Sequence, residues 1–179
     1  MADIEDSKPA TWEKRFVTVV IQRCSQDKGL AARLRRADNP ATEYQSWELL
    51  ASMGVDLERD YERLPFVTVA AAIAKAKIEG NGSLTLGRAI AACYEKGNES
   101  DQAKSRLRRL LACDDLEELV RILRPLLSLI QSKVSQPLDY IKLLNQLRFF
   151  AMRGQSIKIR WAQEFYGKPV ITENTEDAA

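Results

Sequence analysis

Apolar residues recur at three- and four-residue steps along most of this 179-residue chain, which is the spacing of amphipathic helices. The pattern is clearest between residues 99 and 125, where it predicts a helix whose buried stripe consists of Ala103, Leu107, Leu110 and Leu111. Asp114 is expected to end this helix and to cap the next one. The alternation typical of strands is not sustained in any stretch of the sequence. The sequence therefore predicts an all-α fold, with two small helical bundles packed together.

Prolines set the expected helix limits in the first half of the chain. Asn39 followed by Pro40 predicts a helix start, and the buried side of that helix is expected to consist of Tyr44, Trp47, Leu50 and Ala51. Pro65 predicts a break after Leu64, because an internal proline removes a hydrogen-bond donor and crowds the preceding turn. The alanine-rich run that follows is assigned to the core.

A loop divides the predicted helices into two groups. Residues 83–91 are expected to form a short helix before this loop, and a later helix is expected to carry Pro137 in its first turn. Gly97-Asn98 marks the predicted boundary between an N-terminal helical lobe, residues 9–97, and a C-terminal helical lobe, residues 98–169.

The charge of the chain is distributed unevenly. The net charge is only +2, yet residues 14–169 carry +8, whereas residues 1–13 and 170–179 carry −3 each. The ends, residues 1–8 and 170–179, are interpreted as acidic flexible tails. A basic body of this kind is typical of proteins that bind a polyanion.

The residue types needed for catalysis or metal binding are scarce. The chain contains no histidine, which removes the commonest general base and metal ligand. Its three cysteines are far apart and form no CxxC pair, which indicates reduced thiols in the cytoplasm. The sequence has no apolar run long enough to span a membrane. These observations predict a non-enzymatic cytoplasmic protein without a cofactor, a metal or a membrane partner.

Two clusters of basic residues are candidates for polyanion binding. Four cations and no acid lie between residues 102 and 113, namely Lys104, Arg106, Arg108 and Arg109. Arg121 and Arg124 follow on the next predicted helix. An earlier short helix carries Arg33, Arg35 and Arg36. A salt-bridged surface is the ordinary interpretation of a charge run, but here i,i+4 pairing cannot neutralise the 102–113 cluster because it contains no acid.

Four short segments, in this order, carry a resemblance to a known family. They read GLAARLRRA from residue 29, SLTLGRAIA from residue 83, RLRRLLACDD from residue 106, and RWAQEFYG from residue 160. This combination resembles the CasB family, the small subunit of the type I-E CRISPR surveillance complex Cascade. The likeness covers most of residues 9–167.

The resemblance implies a two-lobed all-α protein that acts in antiviral defence and has no small-molecule substrate. It implies that two copies lie side by side in the complex and contact the backbone and large subunits, close to the crRNA. A basic face would hold the target DNA strand that is displaced when the R-loop forms. The matching basic positions are Arg33, Arg35, Arg36, Arg88, Arg106 and Arg109, and Arg121 and Arg124 extend them.

Two other functions remain open from the residues alone. A helix-turn-helix regulator could place residues 83–96 in a major groove, although this segment is mostly apolar. A helical adaptor could use its basic face to bind an acidic protein. The Cascade interpretation makes one geometric demand of its own, that Arg33 or Arg36 and Arg106 or Arg109 border one groove with no acid between them.

Overall fold

The computed structural model describes residues 10–167, and nine α-helices account for most of that range. In chain order they are α1 (Trp12–Gln26), α2 (Lys28–Arg36), α3 (Trp47–Ser52), α4 (Asp60–Ala76), α5 (Leu86–Ala92), α6 (Asp101–Leu111), α7 (Leu116–Lys133), α8 (Tyr140–Arg148) and α9 (Phe150–Tyr166). Two 3₁₀ helices, Pro40–Ser46 and Gly97–Glu99, lie between them. The all-α prediction is confirmed, and the two predicted tails lie outside the described residues.

Helix α4 lies at the centre of the fold. All ten residues from Pro65 to Ala74 are buried, and α4 packs against α1, α2, α7 and α8. A helix that is apolar on all sides is stable only when neighbours surround it. The small side chains of Ala70, Ala71, Ala72 and Ala74 allow those neighbours to come close.

Helices from both halves of the chain share one hydrophobic core. This core runs from Phe16 on α1 to Phe165 on α9, and α5 makes its most extensive contact with α9. Trp161 is fully buried, and its indole Nε1–H donates to Gln146 Oε1 at 2.9 Å. The division into two lobes at Gly97 stays a prediction.

The expected break at Pro65 is wrong, because α4 continues through this residue. Pro65 lies in the second turn, so the carbonyl left without its helical donor is that of Tyr61, near the exposed start of the helix. Burial of the following apolar run on all sides favours a single continuous helix over two short ones.

The expected buried side of this segment is wrong except at Leu50, since Tyr44 and Trp47 are 58% and 42% exposed and Ala51 is exposed as well. The segment is a 3₁₀ helix with three residues per turn, so positions three apart share one face. Glu43 and Ser46 therefore point inward, whereas Tyr44 and Trp47 form an outward edge-to-face pair with ring centroids 6.5 Å apart.

Two helices begin later than predicted because the segments before them pair with each other. Leu84 and Leu138 form an isolated parallel bridge, in which the Asp139 N–H donates to the Leu84 carbonyl at 2.9 Å. Beside the bridge, the Gly82 N–H donates to the Leu138 carbonyl at 3.0 Å. A side chain at Gly82 would place its Cβ 1.9 Å from the Pro137 carbonyl oxygen, so only glycine permits this approach. Helix α5 consequently begins at Leu86, and α8 begins at Tyr140.

Helix α6 forms as the sequence predicts, with one correction at its end. Leu107 and Leu110 are fully buried on α6. The cap of α7 is Asp115 rather than Asp114, since Asp115 Oδ1 accepts from the Glu118 N–H at 2.8 Å. Asp114 instead donates its backbone N–H to the Glu118 carboxylate at 3.3 Å.

We expect Leu110→Ala to lower the free energy of unfolding by about 2–5 kcal/mol, because a fully buried leucine leaves a cavity when truncated. Urea denaturation followed by circular dichroism measures this change. Arg108→Ala, an exposed change on the same helix, should stay within about 0.5 kcal/mol of the parent. Equal effects of the two substitutions would contradict the register of α6.

We expect Gly87→Ala to destabilise the protein, although alanine is the better helix former by about 1 kcal/mol. The new Cβ would lie 2.3 Å from the Trp161 carbonyl oxygen and 2.8 Å from the Phe165 backbone nitrogen, so α5 and α9 would have to separate. The matched control is Gly154→Ala on α9, where the nearest contacts are Phe150 ring atoms at 3.7 Å. A thermal melt should show a lower Tm for Gly87→Ala and an unchanged or higher one for Gly154→Ala.

Candidate nucleic-acid interface

Three of the predicted basic residues line one groove between α6 and α7. Arg106 and Arg109 come from α6 and Arg121 from α7, and the groove has a volume of about 470 Å³. The remaining lining residues are Ala112, Glu118, Ile122, Pro125 and Leu126. We call this surface the α6–α7 groove. Burial of Leu107 and Leu110 fixes the rotation of α6 and leaves Arg106 and Arg109 exposed on one flank.

The α6–α7 groove carries more positive than negative charge. Within residues 10–167, the guanidinium groups of Arg106, Arg109 and Arg121 form no ion pair. Glu118 is the one acid among the lining residues, and its carboxylate accepts the Asp114 N–H. Three arginines against one glutamate leave the groove with a net positive charge, so it can attract an anion.

Arg124 lies one turn beyond Arg121 but points into the protein. Its side chain is 11% exposed, with Nε 3.7 Å from Asp38 Oδ1 and Nη2 3.8 Å from Glu43 Oε2. The same two carboxylates bind Lys75 and Arg63 of α4, which joins the four residues and Arg124 in one charge cluster. Arg124 is thus occupied by acids of this chain.

The basic residues of α2 divide in the same way. Arg33 and Arg36 are exposed, whereas Arg35 is half-buried and donates from Nη1 to the Ala74 carbonyl at 3.4 Å. Asp27 caps α2 by accepting the Leu30 N–H at 2.9 Å, and this hydrogen bond holds the pKa of its carboxyl below the usual range. Only two of the three predicted arginines on α2 face solvent.

Two acidic side chains, Asp38 and Glu43, lie along the contacts that lead from Arg36 of α2 to Arg121 of α7. Asp38 follows Arg36 by two residues, and it lies with Glu43 against Arg124, which is one turn from Arg121. Arg33 and Arg36 are not among the residues that line the α6–α7 groove. The expectation of one groove shared by both clusters stays a prediction.

Arg88 lies apart from the arginines of α2 and does not line the α6–α7 groove. It lines a shallow depression with Lys142 of α8 and Arg160 of α9, together with Ser83, Thr85, Gln163 and Glu164. Sequence reasoning missed Lys142 and Arg160, because the three cations come from helices far apart in the chain. A signal was present in the run of polar, acid-free positions at helical spacing, Arg153, Ser156, Arg160 and Gln163.

The described residues offer little for covalent or metal chemistry. Burial raises the pKa of all three thiols, Cys24, Cys93 and Cys113, and so disfavours the reactive thiolate. Acidic and cysteine side chains do not gather in threes, as a metal site would require, in the part of the chain that the structure describes. Among the described helices, none has the length and apolarity needed to cross a bilayer.

The fold and the exposed arginines define an all-helical protein with a cationic groove on its surface. The structure is similar to the crystal structure of M. ruber CasB, with a TM-score of 0.70 and 27% sequence identity. The match covers 88% of this chain and 94% of that one. No curated protein matches the sequence.

The chain belongs to the family of the CRISPR-associated protein Cse2, whose family model matches residues 30–166. The predicted membership of the CasB family is thereby confirmed. Family membership supports the assignment of this chain as a small subunit of type I-E Cascade, a structural subunit of that complex.

We expect Arg124→Ala to lower the free energy of unfolding by about 1–3 kcal/mol, because it leaves two largely buried carboxylates with fewer partners. Arg121→Ala, one turn away and exposed, should change it by no more than about 0.5 kcal/mol. Urea denaturation of both variants makes the comparison. Equal stabilities would contradict the inward role of Arg124.

Proposed function

We propose that this chain is the non-enzymatic small subunit of a type I-E Cascade in the cytoplasm and holds the backbone of the displaced non-target DNA strand during antiviral defence. Its partners in this proposal are the backbone and large subunits, a second copy of itself, the crRNA and the target DNA. The observation that carries the proposal is the α6–α7 groove, where three arginines face solvent without an ion pair among the described residues.

The chemistry of the groove suits a phosphate chain of arbitrary sequence. A strand displaced by a guide carries any sequence, so a protein that holds it needs cations and no base-reading code. Arginine presents a planar fork that can bind a phosphate through two parallel hydrogen bonds. The lining residues include no aromatic ring, which favours contact with the backbone over stacking of bases.

The packing of α5 argues against the helix-turn-helix alternative. A recognition helix must present several side chains to base edges. Helix α5 has seven residues, and Leu86, Gly87, Ala89 and Ile90 are buried against the protein. Its one long polar side chain is Arg88, and this cannot supply a sequence code.

We expect Arg106→Ala with Arg109→Ala to weaken binding of single-stranded DNA while the fold stays intact. The slope of log K against log salt concentration should shrink by about 0.7 for each phosphate contact that is lost. Fluorescence anisotropy of a labelled mixed-sequence oligonucleotide, titrated at several salt concentrations, measures this slope.

The matched control is Lys14→Ala with Arg15→Ala, which removes the same charge from exposed positions of α1. If the two double variants lost affinity equally, only the net charge would matter and the groove would not be a site. If neither changed the slope, the nucleic-acid proposal would fail and the adaptor alternative would gain.

A second measurement tests the R-loop role in the assembled complex. When the displaced strand is held by the protein, its thymines should react more slowly with permanganate than the thymines of a free strand. Replacing Arg106, Arg109 and Arg121 with alanine should raise this reactivity without preventing assembly. Unchanged reactivity would place the displaced strand elsewhere.

A further inference from the structure

Four cations outside the α6–α7 groove converge on another surface. Lys142 of α8 and Arg160 of α9 line two adjoining depressions, which contain Arg88 at one end and Arg153 at the other. The depressions have volumes of about 350 and 320 Å³. We call the surface formed by Arg88, Lys142, Arg153 and Arg160 the α8–α9 strip.

The single acid of the α8–α9 strip is already engaged. Glu164 Oε1 accepts from Lys142 Nζ at 2.8 Å, and its Oε2 accepts from the Gly87 N–H at 3.3 Å. Lys142 keeps two further N–H donors, and its side chain is 34% exposed. In the described part of the chain, Arg88, Arg153 and Arg160 form no ion pair.

The strip is held in position by the fold. Arg153 lies over the Phe149 ring, with 5.4 Å from its guanidinium carbon to the ring centroid. Arg160 lies one residue from the fully buried Trp161, which fixes the rotation of α9 and turns Arg160 to solvent. Neutral hydrogen-bonding side chains, Ser83, Ser156 and Gln163, fill the gaps between the cations.

We propose that the α8–α9 strip is a second binding site for the phosphodiester backbone of a nucleic-acid single strand, separate from the α6–α7 groove. The two surfaces share no lining residue. Arg153, whose backbone departs from helical geometry at a kink in α9, lies seven positions before Arg160. Seven helical positions correspond to a rise of about 10 Å, so the strip is elongated as a phosphate chain requires. This inference rests on the proposed nucleic-acid function and extends it to a second strand path.

The lining of the strip favours a phosphate chain over an acidic protein. Protein interfaces bury an apolar centre inside a polar rim. The depression that contains Arg88 is lined by polar and charged residues throughout. The other depression contains two apolar residues, Phe149 and the buried Ile157, whereas the exposed apolar residues of α9, Met152 and Ile159, line neither depression.

The test compares four double variants and one quadruple variant of the full chain. Arg153→Ala with Arg160→Ala alters the strip, Arg106→Ala with Arg109→Ala alters the groove, and the quadruple variant alters both. Lys14→Ala with Arg15→Ala controls for net charge. Salt-dependent anisotropy is measured with a 30-nucleotide single-stranded DNA and with RNA of the same sequence, so that the two sources of the phosphate backbone are distinguished.

We expect the strip variant to reduce the salt slope by about 1.4, two lost contacts at about 0.7 each, and the quadruple variant to reduce it by about twice that. Arg153→Lys with Arg160→Lys should restore the slope, since it restores the charges, whereas a merely structural role would not respond in this way. Of the DNA and the RNA, the one whose salt slope falls more in the strip variant is the ligand of the strip.

The outcomes separate this inference from the function on which it rests. If the strip variant matches the Lys14 and Arg15 control while the groove variant loses slope, the second site is overturned and the proposed function stands. If the strip variant alone loses slope, the strip is supported and the α6–α7 groove is not the site. If neither variant loses slope, both proposals fail.

Discussion

The fold depends on the burial of ten consecutive residues of α4, residues 65–74. Such a segment demands neighbours on every side, and α1, α2, α7 and α8 supply them. Each neighbour must then turn its own apolar stripe toward α4 or toward the core that continues from it. The remaining faces of those helices are left for polar residues. Where the arginines of α2 and α7 point is therefore a consequence of how α4 is covered.

The same packing determines which charged side chains pair inside the fold and which remain on its surface. Asp38 and Glu43 lie at the junction of α2, the first 3₁₀ helix, α4 and α7, where they bind Lys75, Arg63 and Arg124. Carboxylates with restricted access to water need cations close by, because an unpaired buried charge costs several kcal/mol. The cations at this junction are therefore paired with acids of the chain. Cations that form no ion pair within the described residues include Arg33 and Arg36 of α2 and the arginines of the α6–α7 groove and of the α8–α9 strip.

Sequence periodicity predicted correctly which side chains are buried where a helix packs against its neighbours through one apolar stripe. It predicted burial less well elsewhere. The stripe of α6 predicted both the burial of Leu110 and the exposure of Arg106 and Arg109, because a 3.6-residue repeat fixes the two together. It failed at Tyr44 and Trp47, where a 3₁₀ helix changes the repeat to three. It could not distinguish Arg121 from Arg124, since the acids that draw Arg124 inward are some 80 residues earlier in the chain. For the same reason, the convergence of Lys142 with Arg88 and Arg160 was not visible in the sequence.

In the proposed function, the division of the exposed cations among separate surfaces limits how tightly one chain can bind a nucleic-acid strand. A groove with three arginines forms few phosphate contacts, and each contact weakens as salt rises, so a single copy should hold a strand only loosely at physiological salt. Loose, sequence-independent contact is useful for a strand that must be accepted whatever its sequence and released after use. When two copies are fixed in one assembly, a strand bound to the first copy reaches the second copy in an intramolecular step. The effective concentration of the second site then adds to the weak affinity of each copy. Weak surfaces on each subunit are then sufficient, and tighter ones would bind cellular nucleic acids before the complex formed.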